Sequence, residues 1–311
     1  MNKDFIIYSW GAIGDALVCT PVYKALKEKF PDRRIIVYYI NPRHKKVFEH
    51  NPYIDSLRYL TSWALLRYPR HLLSYWLKKK MPNAYRMAFQ HVPVSRIYRK
   101  NVVDIAADIF GLTLKDRRIQ LFFTEKEHRI AREKLAPYRN VVFMHIHSRA
   151  SRNHHWKISN WIELVRQLPE YTFIQTGHAD EEYVKGAVDW RGKVPLREAF
   201  CMLHYCTSFV GIDSSFAHAT NAADLPGVVL FGDTDPLYWG HDNNVNIYKR
   251  VFCSPCFDYA WGDPCPFGHE CMNHITVEEV KLALKRQVAS GRHNGPPFNT
   301  EFHENNPKLL V

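Results

Sequence analysis

An apolar run, Phe5 to Ser9, leads into Trp10-Gly11-Ala12-Ile13-Gly14-Asp15, and a helical pattern follows. A strand that feeds a small-residue turn and then a helix presents free backbone N–H groups to an anion. The turn is neither GxGxxG nor a loop ending in GK[ST], which disfavours a dinucleotide-binding dehydrogenase and a P-loop kinase. Asp15 stands at the helix start, where a carboxylate would repel a phosphate but could accept a proton from a hydroxyl group. The structural alternative is a helix N-cap that satisfies orphan amides. A second constellation is Cys253, Cys256, Cys265 and Cys271, spaced C-x2-C-x8-C-x5-C. One C-x2-C knuckle followed by two more cysteines within about twenty residues suits a tetrahedral thiolate site for zinc or iron. No open coordination position is implied, so such a metal would be structural. The alternative is four reduced thiols.

Both constellations need elements to hold them. Leu17, Val18, Val22, Leu26 and Phe30 recur at helical spacing, with Lys24, Lys27, Glu28 and Lys29 on the other side, and Phe30-Pro31-Asp32 ends the pattern. Pro21 predicts a kink. Ile35 to Ile40 reads as a second strand, giving the β-α-β start of a parallel doubly wound sheet. A loop at Asn51-Pro52-Tyr53-Ile54-Asp55 precedes a short third strand. The alternation restarts later, with strands at Val141 to Ile146, Thr172 to Thr176, Phe209 to Ile212 and Gly227 to Phe231, and a helix at Trp161 to Leu168. The charged helical stretch Glu125 to Pro137 lies between the repeats. The expected organisation is a domain at 1–124, a second at 125–289 and a polar tail at 290–311.

Charge is divided unevenly between these parts. Residues 1–124 carry 22 Lys and Arg against 9 Asp and Glu, a net +13, while the remainder carries 20 against 22, a net −2. The first part is built to meet something negative, whether nucleic acid, anionic lipid or phosphorylated glycan. Trp63 to Met81 mixes aromatic and aliphatic residues with Arg67, Arg70 and Lys78-Lys79-Lys80, a composition that suits an anionic membrane surface or, more plainly, a solvated helix. A nucleic-acid-binding protein with a zinc ribbon is disfavoured, because the cysteines lie in the near-neutral part and the basic residues in the other. No apolar run reaches a membrane span, and Phe5 to Tyr8 is too short and strand-like for a signal peptide, so a cytoplasmic protein is expected.

Gly11-Ala12-Ile13-Gly14-Asp15-Ala16-Leu17, with Thr20-Pro21, Ala25-Leu26-Lys27, Phe30-Pro31 and Asn51-Pro52-Tyr53-Ile54-Asp55, resembles the opening of the glycosyltransferase family 9 heptosyltransferases. Gly211-Ile212-Asp213-Ser214-Ser215 with His218, and Phe231-Gly232-Asp233-Thr234-Asp235-Pro236, resemble that family's D-[TS]-G-x-x-H and F-G-x-T-D-P blocks. Ser215 departs from the pattern by standing where glycine is usual. Lys157, between Trp156 and Trp161, stands where the family keeps a lysine for the donor diphosphate.

The resemblance implies an α/β GT-B fold, two Rossmann-like domains facing across a cleft, with the acceptor on the N-terminal domain and the nucleotide on the C-terminal one. It implies an inverting transfer without a catalytic metal, from an ADP-heptose-like nucleotide-diphosphate sugar to a lipopolysaccharide core or related anionic glycolipid. Asp15 would then be the general base. Lys157 and the backbone amides at Ser214 and Ser215 would neutralise the leaving diphosphate. Asp213, His218 and Thr234 would complete the donor site. An acidic residue for the ribose is expected after the strand at Thr172 to Thr176, and Asp180, Glu181 and Glu182 all remain open. Glu270-Cys271-Met272 and Ile275 to Val280 resemble the end of the autotransporter-modifying branch of heptosyltransferases, in which a comparable cysteine cluster holds iron. That branch glycosylates protein, so a protein acceptor is the alternative.

Overall fold

A computed structural model describes residues 4–60, 85–87, 100–149, 151–256 and 265–291. The chain divides into two compact units, Met1–Phe122 and Phe123–Val311. Trp63 to Met81, with its three-lysine run, and residues 292–311 of the tail lie outside the described residues. Among the described residues, no helix is long and apolar enough to cross a membrane.

The first unit holds a parallel sheet of four described strands: β1 (Phe5–Ser9), β2 (Ile35–Tyr39), β3 (Ser56–Tyr59) and β4 (Tyr85–Met87), in the order β3-β2-β1-β4. Phe5 to Ser9 pair residue for residue with Ile35 to Tyr39, and Ile7 faces Tyr85 on the other side. β1 and β2 read as continuous apolar runs because a parallel sheet is covered on both faces. Leu17, Val22 and Leu26, the apolar residues of the helical pattern that follows β1, are fully buried. Instead of a kinked single helix there are two, Ile13–Val18 and Thr20–Lys29, broken at Cys19. Pro21 falls in the first turn of the second helix, where its missing N–H and fixed φ are tolerated.

The second unit holds six parallel strands: β5 (Val141–His145), β6 (Thr172–Gln175), β7 (Val188–Asp189), β8 (Ser208–Ile212), β9 (Gly227–Phe231) and β10 (Asn244–Tyr248), in the order β10-β9-β8-β5-β6-β7. The helices Ile158–Gln167 and Val277–Ser290 pack on this sheet through Trp161, Leu164, Val280 and Leu284. Thr124 and Glu127 form a reciprocal capping box that starts the helix Glu125–Leu135.

In each sheet the chain begins at a central strand, builds outward on one side, then returns to the other. The order reverses beside β1 in the first unit, between β1 and β4, and between β5 and β8 in the second. In open parallel sheets ligands bind at the carboxyl ends of the strands at such a reversal. The turn after β1 and the turns after β5 and β8 occupy those positions, and the turn after β9 lies one strand further along.

Candidate active site

In the first unit, β1 ends at Ser9 and Trp10 N–H donates to Met87 O on β4 (3.2 Å). The chain then turns through Gly11 at φ +120°, a conformation that a side chain would strain, and a Cβ there would also collide with the Asp15 carboxylate. Ala12 is the N-cap and Asp15 the third helical residue, so Asp15 is not itself the cap. Its carboxylate instead reaches back, and Ala12 N–H donates to Oδ2 (2.7 Å). That leaves Oδ1 buried and without a hydrogen-bond partner among the described residues. Burial raises the Asp15 pKa from its ordinary 3.8 to about 7, and the Ala12 N–H opposes that rise. A carboxylate poised near neutral pH with one uncommitted oxygen can take a proton from a hydroxyl.

In the second unit, three turns converge after β5, β8 and β9. Ser214 is the N-cap of the helix Ser215–Ala222, and its hydroxyl is hydrogen-bonded to His145 Nδ1 at the end of β5 (3.1 Å). Asp213, one residue earlier, accepts Thr234 Oγ1–H on Oδ2 (2.7 Å), tying the turn after β8 to the turn after β9. Ser215 is the first helical residue and has no positive φ, so the serine that replaces the usual glycine introduces no backbone strain. His218 is buried one turn in, with Nδ1 2.8 Å from His241 Nε2. Burial pushes both imidazoles down, which keeps this histidine pair neutral.

Lys157 caps the helix Ile158–Gln167 and is exposed. Its neighbour His154 is the buried cation of this unit's turns. His154 Nε2 lies 2.9 Å from Asp233 Oδ1, and Nδ1 lies 3.9 Å from Asp213 Oδ2. Burial pushes the imidazole down, but the Asp233 and Asp213 carboxylates more than reverse this and hold it above its ordinary value. Asp233 answers in kind: burial pushes it up, His154 and the Ser151 hydroxyl (2.6 Å) pull it further down. Asp213 and Thr234 thus sit in one buried network with Ser151, His154 and Asp233. Neither His154 nor His241 was singled out from the sequence. The only signal for His154 is its place two residues before Trp156, and a lone histidine carries no periodic pattern.

The three carboxylates after β6 are not equivalent. Asp180 and Glu182 are exposed, and Asp180 pairs with Arg149 on the surface (3.3 Å). Glu181 folds back over Gly177, whose φ of +148° and lack of a side chain make room for it. Its Oε2 is buried with no hydrogen-bond partner among the described residues, and burial raises its pKa. His147 Nδ1 is 3.7 Å away, but burial takes that imidazole down to about 4, so it is neutral and the contact is no ion pair at neutral pH.

All four clustered cysteines are free thiols. Burial pushes Cys256 up to about 12 and Cys271 up to about 11, and each also feels the charges of Cys253 and Cys265, so the four share one neighbourhood. Cys256 N–H donates to Asp233 O (2.9 Å), fixing the knuckle to the turn after β9. Among the described residues, no group of three or more His, Cys, Asp or Glu side chains is arranged to hold a metal. Residues 257–264, which join Cys256 to Cys265, lie outside the described residues.

The family model for glycosyltransferase family 9 (heptosyltransferase) matches residues 83–261, more than half of the chain. The chain belongs to glycosyltransferase family 9. Among curated proteins, the autotransporter heptosyltransferase Aah of Escherichia coli is 27% identical over 157 residues, covering 40% of this chain and 38% of that protein. Lipopolysaccharide heptosyltransferase 1 of Salmonella typhimurium is 30% identical over 130 residues, covering 38% of each chain. The matched region therefore spans well under half of either curated relative.

Among solved structures, a family 9 glycosyl transferase from Veillonella parvula superposes with a TM-score of 0.72 at 14% identity, over 93% of this chain and 98% of the other. Escherichia coli ADP-heptose lps heptosyltransferase II gives 0.67 at 16%, over 92% and 99%. The iron-containing dodecameric glycosyltransferase TibC from enterotoxigenic E. coli gives 0.65 at 17%, over 93% and 77%. At these identities the likeness is one of fold, and the fold of this family 9 chain is of the GT-B type, with parallel α/β sheets in both units.

Proposed function

We propose that the chain is an inverting glycosyltransferase that moves heptose from an ADP-heptose-like donor to a lipopolysaccharide core or a related anionic cell-surface acceptor. The observation that carries this reading is Asp15, a buried carboxylate with a pKa near 7 and one uncommitted oxygen at the strand-order reversal of the first sheet. In the proposed step Asp15 takes the proton from the acceptor hydroxyl as its oxygen attacks the anomeric carbon, and the bond to the nucleotide diphosphate breaks.

The second unit supplies the donor site. The N–H groups of Ser214 and Ser215 at a helix start, with Lys157, oppose the charge on the departing diphosphate, while His154 offsets the Asp213 and Asp233 carboxylates beside them. Asp213 and Thr234 hold the two turns together, and the His218–His241 pair offers a neutral ring beside them. Glu181 is the acid proposed for the ribose, because it is the half-buried carboxylate of the three and keeps one oxygen without a partner. Heptosyltransferase II, named for ADP-heptose, shares the fold and so supports that donor.

A structural iron or zinc on Cys253, Cys256, Cys265 and Cys271 belongs to the same proposal, supported by the spacing, the shared neighbourhood of the thiols and the iron reported for TibC. The similarity to Aah favours a second reading, transfer to a protein acceptor. The net charge of +13 on residues 1–124 favours an anionic glycolipid and peripheral contact with the inner face of the cytoplasmic membrane. A thermal-shift series with ADP-, GDP-, UDP- and CDP-sugars tests the donor, since a selective ligand raises the melting temperature by mass action. Equal responses to all four would overturn an ADP-linked donor. Transfer assays on heptose-deficient core lipopolysaccharide and on an autotransporter passenger domain then separate the two acceptors.

A further inference from the structure

His44 is buried at the end of a short 3-10 turn, Pro42–His44, that follows β2. Its ring lies against the turn after β1. Nε2 is 2.8 Å from Ala12 O and 3.2 Å from Gly11 O, while Nδ1 is 3.0 Å from Ser9 Oγ. Carbonyl oxygens only accept, so Nε2 must carry a proton. Burial pushes His44 down, against the contacts to Ala12 and Gly11 that raise it, so the ring is neutral and Nδ1 is left to accept the Ser9 hydroxyl. The geometry therefore places the proton on Nε2.

Asn41, the N-cap of the same 3-10 turn, donates from Nδ2 to Gly11 O (3.2 Å). The peptide that joins Gly11 to Ala12 is thus held at both ends. Its carbonyl takes hydrogen bonds from His44 and Asn41, and its N–H donates to Asp15 Oδ2. Drawing electron density toward the carbonyl makes the N–H a better donor, because hydrogen bonds in series polarise one another. Donation to a carboxylate favours its charged form.

We propose that His44 is a positioning residue for Asp15: with Asn41 it sets the Gly11–Ala12 peptide, and through that peptide it orients the Asp15 carboxylate. The idea rests on the reading of Asp15 as general base. Among the described residues, the titratable groups around Asp15 are Cys19, whose Sγ donates to Asp15 O (2.9 Å), Tyr23 beyond it, and His44. Burial holds the Cys19 thiol and the Tyr23 phenol far above neutrality, and it keeps His44 neutral. Asp15 is the one of these groups that changes charge near pH 7.

The test uses the full chain without substrate. Long-range 1H–15N NMR on histidine-labelled protein should show His44 protonated at Nε2 and unprotonated at Nδ1 at pH 7. A 13C-carboxyl titration should place wild-type Asp15 near neutrality, and His44→Phe, which removes one of the two donors to Gly11 O, should move that titration up by roughly 0.3 pH unit, the share of the Ala12 N–H bond that polarisation through the peptide supplies. His44→Gln keeps a donor at this position and should move it less, and Asn41→Ala, which removes the other donor to Gly11 O, should move it in the same direction. The acid limb of the rate profile, measured with ADP-heptose and heptose-deficient core lipopolysaccharide, should move in parallel. An unshifted Asp15 titration in folded His44→Phe, or an Nδ1–H tautomer in the wild type, overturns the proposal. If His44→Phe does not fold, the tautomer and the titration in Asn41→Ala decide it, and no shift in that variant overturns the proposal. Should the wild type be inactive with this substrate pair, the proposed function fails while the NMR result still decides the role of His44.

Discussion

Asp15→Asn is expected to make the protein more stable and nearly inactive, and both effects follow from the same burial. In the unfolded chain this carboxyl titrates near 3.8, whereas in the folded protein it titrates at about 7. Below 3.8 both states hold the proton and burial costs nothing electrostatic. Between the two values the folded state keeps a proton that the unfolded state has lost, so stability falls as pH rises and is lowest above 7. At about 1.4 kcal/mol for each pH unit between 3.8 and 7, wild type loses roughly 4 kcal/mol in all, of which roughly 3 kcal/mol falls above pH 5. Asparagine cannot ionise, and its amide oxygen can still accept the Ala12 N–H that now reaches Oδ2.

The assay is urea unfolding of wild type and Asp15→Asn at pH 5 and pH 8, fitted to the transition of the first unit. The variant should gain over the wild type by roughly 3 kcal/mol more at pH 8 than at pH 5. Its turnover should fall by roughly 100-fold or more, the scale of a lost general base, while donor affinity stays close to wild type. A stability difference that is the same at both pH values would refute the buried, titrating carboxylate. Unchanged turnover would remove Asp15 from the chemistry whatever its pKa.

His154→Gln leaves Asp233 and Asp213 buried without their cation and should destabilise the second unit by roughly 3 kcal/mol while raising the donor KM, both measurable by denaturation and by titration with ADP. Lys157→Ala should weaken donor affinity and rate together without affecting stability, because the side chain is exposed; unchanged affinity would place the lysine outside the site. Protein purified under reducing conditions should contain about one iron or zinc per chain by elemental analysis, and Cys253→Ser with Cys256→Ser should release it; no metal in the wild type refutes the cluster. Replacing Lys78, Lys79 and Lys80 with glutamine should weaken binding to anionic vesicles at low salt and raise the acceptor KM with no change in the donor KM; wild-type behaviour would make that run a solvated face.

How far the fold could be read depended on whether an element's own side chains supply its burial. β1, β2, β5, β8 and β9 are apolar runs closed in on both faces, and each shows in the sequence within a residue of its ends. β10, Asn244-Val245-Asn246-Ile247-Tyr248, was not read from the sequence, because its polar–apolar alternation is too short to stand out from the flanking polar residues. Its asparagines are nevertheless buried, since Asn244 Nδ2 donates to Thr220 Oγ1 (3.2 Å) and Asn246 Nδ2 to His241 O (3.4 Å). Hydrogen bonds to Thr220 and His241 offset the cost of burying those amides. β7 has two residues, too few for any period to register.

The candidate site divides along the same line. Asp15 was legible because a turn rich in small residues between a strand and a helix is a local pattern, and a carboxylate in it is unusual. Its pKa was not, because desolvation is a property of what packs around it. His44, His154 and His241 carry no spacing at all. His44 matters because β2 lies beside β1 in parallel, so the turn after one meets the turn after the other. His154 matters because the turn after β5 meets the turns after β8 and β9, where two aspartates from separate strands face one imidazole. A histidine becomes base, cation or neutral donor according to the groups it meets. Those groups stand 32 residues before His44 at Ala12 and 79 residues after His154 at Asp233, so a reading along the chain finds the strands that bring them together before it finds the site.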